Sequence, residues 1–405
     1  MPCPGWIRIA AVTLLLAVPA AAGEPRTITL RFPRFTLPPG GNSELCVLAR
    51  VPGAVPFDLA SYEIRHRGVR ADFAPQHFLV YLYRGERLAE LAAGTGRVVP
   101  SRACLDLGPV DRDRRVQVAA GTLPRSRHTL PPGVALRLEP VPDTPGGQAA
   151  GFGFVLAAEW INTGVRARHA STKVVLRRAG ARESRRPAAA LEVRTAEQLL
   201  AVAPGEIRST ESSTATPPGD LWTPAADACV VLLSGHMHKR GRFFGVDLVD
   251  GSGATREAVD GIANPFEPGR RHLFGATDYT DPGTLDRVAR PLLVRRGEAL
   301  RYACWYDNGV TTAVRLGCEE HPGTPPGVAA GLPGGGPAKP CMVAGANPAE
   351  CPVTDGAYPA RTFTGACVPA ALVAGPTPDD EACALVGASF DADASASAGE
   401  ECVVR

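Results

Sequence analysis

The residues best suited to chemistry sit at the end of one apolar run, Ala228-Cys-Val-Val-Leu-Leu-Ser-Gly-His236-Met237-His238-Lys-Arg-Gly241. On a strand, alternate side chains share a face, so His236 and His238 are expected to point together with Ser234, Leu232 and Val230. Met237 is expected to face the other way. Two imidazoles held at fixed spacing by one strand form a chelate for a transition metal. The chain has only eight histidines, which makes this pairing informative. Of the others, His66, His128 and His169 lie among arginines and polar residues and read as surface positions.

The elements that must position this pair read as short strands. Thr27–Phe32, Glu44–Arg50, Ser61–Arg65, Gln76–Tyr83, Val134–Leu138, Gly153–Ala157 and Lys173–Arg177 are apolar or alternating, with turn clusters between them. Residues 178–187 read as a linker. Strands are expected again at Ala228–His238, Phe244–Val249, Pro291–Val294, Ala299–Tyr306 and Thr312–Leu316, with Asp307-Asn308-Gly309 as a hairpin turn. Leu191–Val202 fits a helix or a strand. The 44 glycines and 39 prolines suit many short strands joined by turns. The pattern predicts an all-β fold of the sandwich type, without long helices.

The first 23 residues read as a secretory signal, with Arg8, the apolar run Ile9–Val18 and the small-residue site Ala20-Ala-Ala22-Gly23. The protein is therefore expected to be secreted or periplasmic, with no membrane span. Of eleven cysteines, Cys3 would leave with the signal. The remaining ten suggest disulfides. Cys341, Cys351 and Cys367 show no C-x-x-C spacing and are not read as a zinc site. Residues 391–400 are small and polar and read as a disordered tail. With 43 basic and 41 acidic residues, the net charge of +2 gives no reason to propose a nucleic-acid partner. The oligomeric state is open.

Several segments, in order, resemble the type II copper, ascorbate-dependent monooxygenases. They are Glu44-Leu-Cys-Val-Leu-Ala-Arg-Val-Pro52, Gln76-His77-Phe78, Thr129-Leu-Pro-Pro-Gly-Val-Ala135, Glu159-Trp-Ile-Asn162, His236-Met-His238-x-x-Gly241, Tyr302-Ala-Cys304 and Asp380-Glu-Ala-Cys383. The resemblance implies two tandem jelly-roll-like β-sandwich domains, here 24–180 and 188–405, the second carrying a cysteine-rich insertion at about 318–379. It implies an electron-transfer copper held by three His in the first domain. A second copper, held by two His and a Met in the other, would activate O₂. It also implies a Cys304–Cys383 disulfide. Cys46 and Cys104 are the only first-domain cysteines and are expected to pair; the other pairings stay open.

Departures from the family fall on the ligands. Gln76 and Glu159 stand where the first site would have His, leaving His77, and Ala382 replaces the second site's Met. The third ligand beside His236 and His238 stays open among Met342, His272, His321 and water. Ser234 and Val386 stand where the peptide hydroxylase reads a carboxylate, so peptide amidation is not expected. Two functions follow from the resemblance. One is a secreted copper monooxygenase hydroxylating a small organic substrate with O₂ and ascorbate or another external reductant. The other is a non-catalytic relative that keeps one metal site. One copper per chain is expected, at His236 and His238, with little or none at His77.

Overall fold

The computed structural model describes residues 26–307 and 382–402, together with Leu372–Val373. Within these spans 40–41, 86–87, 89–95, 101–113, 131, 143–144, 148, 163, 181–185, 195–200, 203–205, 212–220, 239–240, 257–260, 279–282, 288 and 397–401 are not described. The signal segment, Cys104, the Thr312–Leu316 strand, the Asn308-Gly309 turn and nearly all of the insertion lie outside the described residues.

The fold is all-β, as the alternation predicts. Thirteen strands position the site: β1 (Thr27–Leu37), β2 (Asn42–Pro52), β3 (Phe57–Arg67), β4 (Phe73–Tyr83), β5 (Arg115–Ala120), β6 (Val134–Leu138) and β7 (Ala149–Asn162), then β8 (Arg168–Arg178), β9 (Arg186–Arg194), β10 (Ala228–Met237), β11 (Gly241–Val249), β12 (Ala299–Asp307) and β13 (Cys383–Asp391). In the first half, β2, β7, β4 and β5 form one sheet, and β1, β8, β3 and β6 form part of the opposing one. Between them lies a core that includes Phe32, Phe78, Phe154, Trp160 and Val174. In the second half, β10 and β13 face the sheet built on β11 and β12 across Leu233, Met237, Phe244, Tyr302 and Leu385.

The β2–β7–β4 sheet is buried on both faces. Phe78, Val80 and Leu82 enter the sandwich core, while Leu79, Tyr81 and Tyr83 join a second cluster on the far side with Cys46 and Ala157. This explains why Phe78–Tyr83 is continuously apolar rather than alternating.

The two halves share a sheet. The first residues of β9 pair in parallel with β6 (Ala188 opposite Leu136), and the rest pair antiparallel with β13 (Arg194 opposite Ala384). The segment read as a linker therefore turns into a strand at Arg186. Of Leu191–Val202, which fitted either element, the described residues Leu191–Arg194 and Ala201–Val202 are strand. Cys229, Leu232 and Phe390 of the second half pack into the first half's core.

Two disulfides join described residues. Cys304–Cys383 links β12 to β13 across the second sandwich, at a Cα separation of 5.9 Å, as the family resemblance implies. Cys229–Cys402 fastens the C-terminal segment to β10. Cys46 is also disulfide-bonded. Bonds of this kind form in oxidising compartments. The tail expected to be disordered is ordered at its start: Ala396 donates its amide to the Asp393 carbonyl, and Ser395 bonds the Asp393 carboxylate. The Cys402 bond supplies the constraint that composition does not show. Among the described residues no helix is long and apolar enough to cross a membrane.

Candidate functional site

Local sequence explains how β10 ends. Gly235 lies under the Phe244 ring, where a Cβ would come within 2.6 Å of ring carbons. Gly241 closes the turn that follows: its amide donates to the His238 carbonyl, and a Cβ there would lie 2.7 Å from the Met237 Cβ. The His pair thus ends the strand between Gly235 and Gly241, where a side chain has no room. Met237 is buried in the second core, as alternation requires, and His236 and His238 face the other way. Val230 does not share their face as expected. A bulge between Val230 and Leu232 reverses the alternation there, and Val230 joins Met237 in the second core.

The face carrying His236 and His238 looks toward the first half. It meets the far side of the β2–β7–β4 sheet, where His77 stands. The first half's own row is Glu44, Glu159 and His77, directly opposite one another on three adjacent strands and all buried. Between Glu159 and Trp160 the register with β4 shifts, leaving Gln76 as the extra residue of a bulge beside Pro75. Such a bulge accommodates a proline in a strand and re-aims its neighbour.

The three rings converge. Ring centres lie 5.5 Å apart for His77 and His236, 5.3 Å for His77 and His238, and 5.1 Å for His236 and His238. Two separate sites were expected, with His77 in one and the His pair in the other. The structure instead gathers all three in a single cluster. The reason is tertiary: the far side of the first half's sheet is covered by the second half, so residues remote in sequence become neighbours.

Charge is distributed unevenly in the cluster. His77 Nε2 lies 3.6 Å from Glu44 Oε1, and its Nδ1 lies 3.6 Å from Glu159 Oε2. Burial opposes a charge on His77, but the facing Glu44 and Glu159 carboxylates outweigh it and raise the pKa. His236 goes the other way. Burial, then the neighbouring His238, His77 and Arg194, hold it well below the usual histidine value. Arg194 is fixed by Glu192 at 2.7 Å and by the Tyr81 hydroxyl at 2.7 Å.

A cavity of about 380 Å³ adjoins the cluster, lined by His77, His236, Gln117, Tyr62, His128 and Ser234. Ser234 donates to the Gly283 carbonyl. Ala382 lies beside the pair: β13 runs antiparallel to β10 with Ala384 opposite His236 and Cys383 opposite Met237. One further step places Ala382 by His238, and its carbonyl accepts from Tyr306 Oη at 2.6 Å.

Of the other histidines, His272 is engaged at both ring nitrogens, by Asp247 at 2.8 Å and Asn264 at 3.2 Å. His321 and Met342 lie outside the described residues. His66 is not a surface residue as expected. It is buried against Phe78 and Trp160, bonded to Thr172 Oγ1 at 2.8 Å and to the Gly121 carbonyl. It occupies an inward position of β3 whose polar partners are remote in sequence, which its neighbours Arg65 and Arg67 concealed. Sequence reasoning also missed Glu44 as a member of the site; its one signal was a carboxylate in an otherwise apolar run.

Imidazoles sharing one tetrahedral ion at metal–nitrogen distances near 2.0 Å have ring centres roughly 5 Å apart, which matches this cluster in kind and spacing. Among the described residues no group of three or more His, Cys, Asp or Glu already encloses a metal position. Binding would require the rings to turn.

No family model matches the chain, and no curated protein does. Among solved structures it is similar to PNGase F, a glycosylasparaginase from Flavobacterium meningosepticum, at 10% identity and a TM-score of 0.28, covering 70% of this chain and 91% of that one. It is also similar to the decameric BFDV capsid protein, at 11% identity and a TM-score of 0.16, covering 37% of this chain and 97% of the other. At these scores neither likeness bears on function.

Proposed function

We propose that this chain is a secreted metal protein with one copper centre, held by His236 and His238 with His77 as the third ligand, and that it acts on a small organic molecule in the adjoining cavity. The observation that carries this reading is the convergence of three imidazoles, brought from both halves of the chain, two of which, His77 and His236, line a cavity. An all-imidazole set suits copper in both oxidation states. Copper bound there would supply one-electron chemistry toward O₂, with ascorbate or another external reductant. Hydroxylation of a substrate C–H bond is the reaction that the resemblance to the type II copper monooxygenases implies. The ordered motifs support a place among divergent relatives of that family.

The chain's own residues divide the work. His236 is neutral at physiological pH and offers a lone pair without first losing a proton. His77, whose carboxylate neighbours raise its proton affinity, is the ligand whose participation is more sensitive to pH. Glu44 and Glu159 orient the His77 ring and stabilise its proton. Tyr62, Gln117 and Ser234 give the cavity polar groups for orienting a substrate.

A second reading is a non-catalytic relative with a two-histidine metal site. The two carboxylates facing His77 support it, because a proton they favour on the ring opposes ligation. Copper titration of the metal-free full-length protein tests both. One copper per chain, lost in His236→Ala and in His238→Ala, is the expected result. Unchanged binding in His236→Ala, or none in the wild type, overturns the centre. Unchanged affinity in His77→Ala, with no ascorbate-dependent O₂ consumption, selects the second reading.

A further inference from the structure

The outer face of the first half carries a charge pattern that its fold does not require. Arg31 on β1, Lys173 on β8, Arg65 on β3 and Arg125 on the adjoining Arg125–Thr129 strand stand directly opposite one another. This row places one cation on each of four neighbouring strands. Strands are spaced by about 4.8 Å, so the row spans roughly 14 Å. All four residues are exposed. Arg67, Arg127 and Arg177 extend the patch on the same face. Like charges placed directly opposite destabilise a sheet pair, so four in register call for a compensating partner.

Among the described residues that compensation is a single carboxylate. Glu63, in the next row, is buried and takes a two-point bond from Arg65 at 2.8 and 3.0 Å, with a further bond from Arg125. Arg127 and Arg177 lie at 3.6 and 3.7 Å from it. Arg65 foremost, with Arg125, holds the Glu63 carboxyl at about 2. Glu63 therefore stays charged and gathers the arginines without neutralising them. Arg31, Lys173 and Arg67 do not touch it, and they border a groove of about 320 Å³ together with Arg34 and Arg65. The net charge of the whole chain is only +2, so the patch is a local concentration.

We propose that this face binds a linear sulfated or carboxylated polysaccharide laid across the strands. A regular file of cations on a rigid sheet matches a chain of regularly spaced anions. The residues between the cations are Thr27, Thr29, Ser61, Val175 and Thr129, which offer hydroxyls and little apolar bulk. Single-stranded nucleic acid would call for aromatic platforms on which bases stack, and a membrane surface for large apolar anchors. These rows carry neither. The inference does not rest on the metal centre.

The test uses the full-length protein and a heparin oligosaccharide of defined length, with affinity measured at several salt concentrations. The expected result is binding that weakens with salt. It should fall at least about tenfold in the triple variant Arg31→Gln, Arg67→Gln, Lys173→Gln. These side chains are exposed and do not bond Glu63, and removing like charges relieves repulsion, so melting should not fall. A control triple of exposed residues elsewhere, Arg271→Gln, Arg290→Gln, Arg296→Gln, should bind as the wild type does. Equal loss in both triples would reduce the effect to net charge and overturn the site. Equal or tighter binding of single-stranded DNA, or of phosphatidylserine vesicles, would overturn the choice of ligand. If the triple misfolds, Lys173→Gln alone should still weaken binding about threefold, and no change would sink the proposal.

Discussion

His77 and His236 touch ring to ring, yet their surroundings shift their proton affinities in opposite directions. The first half surrounds His77 with two carboxylates taken from neighbouring strands. The second half gives His236 another histidine and, nearby, Arg194. Burial acts on both rings in the same direction, against charge. Neighbours decide the outcome, because an opposite charge within a few ångströms outweighs desolvation and a like charge adds to it. One cluster thus contains a histidine of lowered and a histidine of raised proton affinity.

The largest way to break this comparison is to loosen one side of it. Replacing Cys304 and Cys383 with Ser should cost about 4 kcal/mol by loop closure over a separation of 79 residues. It would free β13, which braces His236 through Ala384. Denaturant unfolding should show the loss. If copper binding were unaffected while stability fell, the His236 side would not depend on that brace.

The next effect sets His77 against His66, another buried histidine of the first half. Burial, opposed by the Gly121 carbonyl, lowers His66 from 6.5 to about 4. Its unfolded form takes a proton at higher pH than its folded form. The associated stability is therefore complete above about pH 6.5 and is lost as pH falls toward 4, a loss of about 3 kcal/mol. His77 has the opposite sign in the metal-free protein. Its raised pKa contributes stability that is present below 6.5 and lost as pH rises through the folded value. Urea unfolding across pH 4.5–7.5, with His66→Asn as comparison, should show the acid-side slope reduced in the variant. An unchanged slope would remove His66 from the account.

A sharper test leaves the fold alone. Glu159→Gln removes one of the charges that favour the His77 proton, so in the metal-free protein His77 should titrate at lower pH. Copper binding at neutral pH should tighten modestly if His77 is a ligand. Histidine NMR titrations check the first outcome and copper competition the second. A His77 titration that stays in place would show that Glu159 does not set its charge.

The smallest effect concerns the position opposite His238. Ala382→Met would place a thioether beside the pair, and affinity for Cu(I) should rise relative to Cu(II). Competition with a Cu(I) chelator would measure it. No preference for Cu(I) would mean that residue 382 points away from the centre.

Local pattern was legible where local physics sets the answer. Apolar runs and alternation located the central residues of β1 through β4, β6, β8, β10 and β12. Alternation also placed Met237 opposite to His236 and His238, because side-chain direction on a strand depends only on parity. The bulge at Val231 broke that parity for Val230, since a bulge is set by packing against a partner strand. The disulfide between Cys304 and Cys383 came from the ordered motifs, and the structure bears it out.

The sequence by itself determined an all-β chain with a preorganised His-x-His at a strand end. Only the tertiary structure decided what that pair meets. Glu44, Glu159 and His77 align because three strands pair in one register, and Arg31, Lys173, Arg65 and Arg125 align for the same reason. The shared strand β9 joins the halves and forms part of one sheet with both. Strand register and the docking of sheets are fixed by the whole set of long-range contacts, so spacing along the chain carries no record of which residues will stand opposite one another.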